Sequence, residues 1–126
     1  MEEGIKPDAI TFVSILNACT HVGMLDKGQV YYEVMSKDYG ITPMFEHHTC
    51  MVLVFGSRGN FDKALLIALQ SCDHLEVWVA LLGGCRKWGN VQLGRHAFEQ
   101  VLFLHENDVA AHICMHNIYA DFEVRE

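Results

Sequence analysis

Two pairs of histidines could in principle hold a metal ion together with a nearby cysteine. His47 and His48 are adjacent, and His112 and His116 have the i, i+4 spacing that places two side chains on the same face of a helix. The five cysteines lie far apart and form no Cys-x-x-Cys pair of the kind that structural zinc sites contain. We therefore predict no metal site, and nothing else in the sequence indicates a cofactor.

No combination of residues indicates a catalytic centre. Cys19 and Cys85 lie on apolar stripes next to small residues, a setting that is typical of small buried side chains and not of a reactive thiol. The glycine-rich pieces 56–59 and 83–84 are not followed by the Lys-Ser/Thr of a phosphate-binding loop, so we interpret them as turns or close contacts between helices. The sequence therefore predicts a protein that is not an enzyme.

Composition and charge narrow the class of protein. The chain has 126 residues, 51% of them hydrophobic, which is enough for one domain with a buried core. Its net charge of -7 argues against a surface that coats nucleic acid and against a polybasic membrane anchor, so an RNA partner would be bound locally. No apolar run is long enough to span a membrane, and the first residues are unlike a signal or transit peptide. The odd number of cysteines favours a reducing compartment.

An internal repeat organises the chain. A shift of 66 residues places similar residue types on one another, for example Phe12 on Trp78. A shift of 36 residues reveals a copy between these two, and a fourth, partial copy begins near Val109. His48 and His112 occupy the position of Phe12 and Trp78, so we expect them to be aromatic substitutes in the core rather than metal ligands.

Each copy has the pattern of two helices joined by a turn. Apolar residues of the first helix recur at i, i+3, i+4 and i+7, a glycine follows, and a second apolar stripe begins directly after it. A small residue on the second stripe, Gly28, Ala64 or Gly94, would let the two helices approach closely. We predict an all-α fold of three stacked hairpins and one unpaired helix, that is, an α-solenoid.

These residues resemble the pentatricopeptide repeat proteins, in particular the C-terminal region of the plant PLS subclass. The segment from Glu46 to Val52 (EHHTCMV) is similar to the opening of the last S-type motif. The segment from Trp78 to Leu82 (WVALL) resembles the first E-type motif, and the segment from Asn117 to Ala120 (NIYA) resembles the second. The resemblance covers nearly the whole chain and implies a right-handed α-solenoid of the tetratricopeptide-like kind.

The resemblance divides the chain into five parts. They are the tail of a preceding repeat (1–8), an L-type repeat (9–44), an S-type repeat (45–74), the first E-type motif (75–108) and part of a second E-type motif (109–126). Solenoids need polar caps, and the last hairpin of this pattern lacks its second helix. We therefore expect self-association through the uncapped ends or fraying of the last helix.

The resemblance implies that single-stranded RNA binds along the hairpins, with one base for each hairpin. The fifth and the last residue of each unit would read the base. These residues are Val13 with Met44, Thr49 with His74, and Val79 with Asp108, and Asp8 is the last residue of the truncated upstream unit. Thr49 is the one fifth residue of the three that can form a hydrogen bond, whereas a valine can only pack against a base.

For the whole protein, the resemblance implies a part in cytidine-to-uridine RNA editing in a mitochondrion or chloroplast. In the family, a deaminase domain is supplied in cis or in trans. Its signature, His-x-Glu followed by Pro-Cys-x-x-Cys, is absent from this sequence, so we expect no enzyme here, and a deaminase supplied in trans is one expected partner. Editing cofactor proteins are further expected partners, and a membrane is not. The alternative is a protein–protein interaction scaffold of tetratricopeptide-like hairpins that recruits editing cofactors.

Overall fold

A computed structural model describes residues 7–106 and 108–125, and these residues form α-helices without a strand. The helices are α1 (Ala9–His21), α2 (Leu25–Lys37), α3 (Phe45–Ser57), α4 (Phe61–Leu69), α5 (Leu75–Trp88), α6 (Val91–Leu104) and α7 (Val109–Arg125). The predicted all-α fold is thereby confirmed. Most of the predicted upstream tail, residues 1–6, lies outside the described residues. None of the helices in this part of the chain combines the length and the apolar character needed to cross a membrane.

The turn inside each hairpin contains the same backbone hydrogen bond. The residue after the turn glycine donates its N–H to a carbonyl in the last turn of the first helix, at distances of 2.8 to 2.9 Å, in the pairs Met24 to Cys19, Asn60 to Phe55 and Asn90 to Cys85. The glycines have φ angles of 77°, 74° and 69°, in the left-handed region that a residue with a Cβ atom adopts at a cost, and they are Gly23, Gly59 and Gly89. Each hairpin therefore reverses the chain in the way that the repeated glycine predicts.

Small residues hold the two helices of a hairpin close together. A Cβ atom added to Gly28 would lie 3.4 Å from the Cβ of Cys19 in the partner helix. The same distance separates an added Cβ on Gly94 from the Cβ of Cys85. Ala64 is fully buried at the equivalent place. The predicted role of these small residues is confirmed, because a larger side chain at either glycine would press on the opposite helix.

The hairpins stack through their first helices. The helices α1, α3, α5 and α7 pack side by side in one row, and each second helix packs against its own first helix and against the next one along the chain. The backbones of α3 and α5 approach closely, since a Cβ added to Gly84 would lie 3.0 Å from the Cα of Gly56. The prediction of a close helix contact is therefore confirmed for these two glycines. In contrast, Gly83 is exposed and has open space around it.

Most of the core positions that the repeat predicts are buried, including Met115 of the fourth copy. Cys19 and Cys85 are buried, and burial raises the pKa of the Cys85 thiol to about 12. His48 is buried as an aromatic substitute, with its Nδ1 bonded to the Ser71 hydroxyl and its ring edge-on to Tyr32. These predictions are confirmed.

The prediction of a buried aromatic substitute is wrong for His112, whose side chain is exposed on α7. Its ring contacts Phe98 of α6 edge-on, with 5.0 Å between the ring centroids. At the equivalent position of α1 and α5, Phe12 and Trp78 are buried because these helices have a second helix of their own. Among the described residues no second helix follows α7 in its own hairpin, so His112 contacts Phe98 but stays exposed to solvent.

Substitution of the paired glycines 83 and 84 tests the contact between α3 and α5. Gly84→Ala should lower the free energy of unfolding by about 1–3 kcal/mol, because the new methyl group must push against the backbone of Gly56. Gly83→Ala is the matched control and should raise the free energy of unfolding by about 0.5–1 kcal/mol, since the site is open and alanine favours a helix. Urea denaturation followed by circular dichroism measures both values. Equal effects of the two substitutions would contradict the proposed close contact.

The buried His48 predicts a loss of stability in acid. Burial, with a smaller effect of His47, holds the pKa of His48 below its usual value of 6.5. As the pH falls through 6.5, the unfolded chain takes up a proton that the folded protein does not, so the free energy of unfolding decreases until the pH reaches the folded-state pKa. We expect lower stability at about pH 5 than at about pH 7.5.

The variant His48→Phe, which introduces the residue type found at Phe12, should reduce this pH dependence. The exposed His116 provides a control, and His116→Gln should leave the dependence as in the unsubstituted protein. Denaturation curves recorded at several pH values measure how the free energy of unfolding of each variant depends on pH. An unchanged dependence in His48→Phe would show that other groups cause the loss.

Candidate RNA-binding surface

The seven residues that the family resemblance assigns to RNA recognition lie at the N-terminal ends of the first helices. Four of them stand immediately before a first helix, namely Asp8, Met44, His74 and Asp108. The other three lie one turn inside α1, α3 and α5, and they are Val13, Thr49 and Val79. All three are half-buried, so each side chain retains some exposed surface.

Two of the seven residues share a cleft between α1 and α3. Val13 of α1 and Thr49 of α3 both line this cleft, which has a volume of about 200 Å³. Its walls are otherwise formed by Asn17, Phe45, Glu46, Cys50, Leu53 and Glu76. Val79 does not line the cleft but packs against the hydrophobic core. The structure therefore brings together the fifth residues of the first two units, and not that of the third.

His47 ties the two walls of the cleft together. Its Nδ1 accepts a hydrogen bond from the backbone N–H of Met44, at 3.0 Å, so Nε2 carries the ring proton. Nε2 donates to the carbonyl of Ala9 at the start of α1, at 2.8 Å. The ring is fully buried. This histidine thus has a structural role, and within the described residues no group of three His, Cys, Asp or Glu is placed to hold a metal ion.

The hydroxyl of Thr49 presents an acceptor to the cleft. Its proton is donated to the carbonyl of Phe45, one turn earlier in α3, at 2.8 Å. Nearby, the thiol of Cys50 donates to the side-chain oxygen of Asn17 at 3.0 Å. Burial raises the pKa of Cys50 to about 11, so this thiol keeps its proton. The donors of both Thr49 and Cys50 are therefore used inside the protein.

His74 is held beside the cleft by stacking. Its ring lies parallel to that of Phe45, with 4.0 Å between the centroids and 8° between the planes. The Asp73 carboxylate lies 3.9 Å from its Nε2, and both side chains are partly exposed to solvent. This stack joins the N-terminal end of α3 to that of α5. His74 therefore extends the aromatic surface of Phe45, a contact that sequence periodicity does not reveal.

Asp8 and Asp108 cap helices. A side-chain oxygen of Asp8 accepts from the backbone N–H and the hydroxyl of Thr11, each at 2.8 Å, and these hydrogen bonds lower the pKa of the Asp8 carboxyl. Asp108 accepts from the backbone N–H of Ala111 at 2.8 Å. Both carboxylates therefore satisfy N–H groups of the first turn of a helix, which is a sufficient structural reason for an aspartate at these positions.

The electrostatic character of the cleft is acidic. Glu46 and Glu76 both line it, and no basic side chain does. Several cations of the described residues contact groups elsewhere, in the pairs Arg58 with Asp26, Lys87 with the Ser57 carbonyl, and Arg95 with the Tyr119 hydroxyl. The cleft is therefore suited to a group that donates hydrogen bonds, and its negative charge repels a phosphate.

Sequence reasoning missed most of the cleft-lining residues. Asn17 and Leu53 follow the fifth residues Val13 and Thr49 by four positions, and Glu46 precedes Thr49 by three. On a helix these spacings place side chains on one face, so the periodicity that located the fifth residues also contained this signal. The stacking partner Phe45 carried no such signal, because its contact crosses between helices.

Comparison with known proteins now decides the family. No protein-family model matches the chain. The chain is 42% identical over 122 residues to Pentatricopeptide repeat-containing protein At4g33990 of Arabidopsis thaliana, a match that covers 95% of the chain and 15% of that protein. The chain therefore belongs to the pentatricopeptide repeat family.

Two further relatives of this pentatricopeptide repeat chain have organelles in their names. At5g40410, mitochondrial, of Arabidopsis thaliana is 40% identical over 119 residues, which are 93% of the chain and 20% of that protein. CRR2, chloroplastic, of the same plant is 33% identical over 126 residues, which are 98% of the chain and 19% of that protein. The pentatricopeptide repeat chain thus spans 15% to 20% of the length of these curated relatives.

The capping role of Asp108 predicts different effects of two substitutions. Asp108→Ala removes the acceptor for the Ala111 N–H and should lower the free energy of unfolding by about 1 kcal/mol. Asp108→Asn keeps a side-chain acceptor and should stay within about 0.5 kcal/mol of the unsubstituted protein, since asparagine is an equally good N-cap residue. Urea denaturation measures both. If the free energy of unfolding falls equally in the two variants, the charge of the carboxylate stabilises the protein and the capping hydrogen bond does not.

Proposed function

We propose that this pentatricopeptide repeat segment binds single-stranded RNA as part of an organellar cytidine-to-uridine RNA-editing specificity factor. In this proposal the units 9–44, 45–74 and 75–108 each contact one base, and residues 1–8 and 109–126 belong to incomplete neighbouring units. The segment contributes binding and not catalysis, with the deaminase and editing cofactor proteins supplied in trans. The factor acts in a mitochondrion or chloroplast, the two organelles named for its relatives.

The observation that carries this proposal is the shared cleft of Val13 and Thr49 at the N-terminal ends of α1 and α3. Its apolar walls can contact the face of a base, and the Thr49 hydroxyl can accept a hydrogen bond from a base edge. Met44 lies next to this cleft and is exposed, and the stacked ring of His74 extends the aromatic wall. Val79 with Asp108, and Asp8, hold the equivalent places in the neighbouring units.

A protein-interaction scaffold is the second candidate function, and the acidic cleft favours it. Glu46 and Glu76 beside apolar walls would also suit a lysine or arginine side chain of a partner protein. Self-association through the ends of the solenoid belongs to the same class of function. Sedimentation of the chain over a range of concentrations would measure that association directly.

Fluorescence anisotropy with short RNA tests the proposed function. The chain should bind a single-stranded oligonucleotide more tightly than a duplex of the same length, and increasing salt should weaken the binding because some phosphates are contacted. Thr49→Ala should weaken single-strand binding by about fivefold, the loss of roughly one hydrogen bond. The matched control is Thr20→Ala, since Thr20 makes the same hydrogen bond to a carbonyl one turn earlier, at 2.9 Å, but near the opposite end of α1.

Thr20→Ala should bind RNA as the unsubstituted chain does. RNA binding by this segment is refuted if duplex and single strand bind alike and Thr49→Ala binds as tightly as Thr20→Ala. A basic peptide that binds where RNA does not would favour the scaffold.

A further inference from the structure

We infer that the cleft between α1 and α3 selects bases that present N–H donors, guanine above all, and that Glu46 and Glu76 determine this preference. The inference rests on the proposed RNA-binding function and specifies the base that one unit would take. It concerns two residues outside the fifth and last positions of the repeat unit.

The hydrogen-bonding groups of the cleft are mostly acceptors. The Thr49 hydroxyl has donated its proton to Phe45, and the carboxylates of Glu46 and Glu76 can only accept. Against these acceptors, the side chains lining the cleft offer one donor group, the amide nitrogen of Asn17, whose oxygen already accepts from Cys50. A ligand edge that fits the cleft must therefore be rich in N–H groups.

The last residue of the unit, His74, does not line the cleft. His74 lies flat against Phe45, 4.0 Å away, and its ring therefore offers a stacking surface next to the cleft. Glu46 and Glu76 approach the cleft from the N-terminal turns of α3 and α5. They are the ionised groups among the lining residues, and charged acceptors form stronger hydrogen bonds than neutral ones.

The four bases differ in the donors that they present. Guanine carries N1–H and a 2-amino group side by side, an edge that matches the two oxygens of one carboxylate, and its single acceptor on that side is O6. Adenine and cytosine each present one amino group next to a ring nitrogen acceptor. Uracil presents one N–H between two carbonyl oxygens, and these oxygens would face the carboxylates unfavourably. The expected order is guanine first, adenine and cytosine next, and uracil last.

The experiment uses three labelled single-stranded RNAs of equal length and fluorescence anisotropy. They are alternating uridine and guanosine, the same sequence with inosine for guanosine, and oligouridine. Inosine lacks only the 2-amino group of guanosine. The unsubstituted chain should bind the guanosine RNA about tenfold more tightly than oligouridine, which is the usual discrimination of a good two-point contact, with the inosine RNA between them.

The isosteric double variant Glu46→Gln/Glu76→Gln should bind oligouridine more tightly, because two negative charges near the phosphates are removed. Its preference for guanosine over oligouridine should fall to about twofold or less, since the amides present as many donors as acceptors. Glu99→Gln is the control, because Glu99 is exposed on α6 and does not line the cleft, and this variant should keep the preference. Increased affinity together with lost selectivity is a combination that damage to the fold would not produce.

The outcomes distinguish a failure of the proposed RNA binding from a failure of this inference alone. If the unsubstituted chain binds none of the three RNAs, the proposed function is wrong and this inference is wrong with it. The same conclusion follows if the chain binds an arginine-containing peptide but no RNA. If the three RNAs bind equally, RNA binding stands and the inference is wrong. The inference is also wrong if the double variant keeps the guanosine preference, or if Glu99→Gln loses it to the same degree.

Discussion

The structure depends on the way in which α3 is fixed at both of its ends. At its N-terminal end the buried ring of His47 bonds to the backbone of Met44 and of Ala9, so α3 is tied to the start of α1. Towards its C-terminal end the backbone of Gly56 meets that of Gly84 in α5. Two side chains of α5, Lys87 and Trp88, also donate to the carbonyl of Ser57 at the last turn of α3. Because a two-helix unit cannot bury its own faces, these contacts between units define the row of first helices and the cleft within it.

The residues assigned to recognition also stabilise the helices that carry them. Aspartate caps α1 and α7, and the Thr49 hydroxyl bonds to its own helix. Such bonds fix the side chains before any ligand arrives, which lowers the entropy that binding costs. The bond of Thr49 also uses the proton of its hydroxyl, so this hydroxyl presents an acceptor to the cleft. A substitution at Asp108 or Thr49 therefore changes a hydrogen bond that stabilises a helix as well as a side chain of the proposed RNA-binding surface.

More of the helical architecture than of the candidate site can be predicted from the sequence. Helical periodicity and the recurring turn glycine predict the hairpins, and small residues such as Gly28 predict the close approach of their helices, because these features depend on local geometry. The same periodicity wrongly predicts that His112 is buried, because burial also depends on whether another helix covers the position. The stack of His74 on Phe45 joins residues from two helices, and no local pattern encodes it. The side chains around Thr49 are an intermediate case, because helical spacing gives their face but not their partners.

The acidic character of the cleft separates affinity from specificity in the proposed function. Contacts to phosphates provide most of the affinity of nucleic-acid-binding proteins, whereas contacts to base edges provide the selectivity. A chain with a net charge of -7 and two carboxylates in its cleft is poorly equipped for phosphates and well equipped for N–H groups. The relatives are five to seven times longer than the matched segment, as the covered fractions of 15% to 20% require, so a longer repeat array can supply more phosphate contacts than this segment alone. In such an array one unit gains more from rejecting the wrong base than from binding every base tightly, and this rejection is the role that we propose for Glu46 and Glu76.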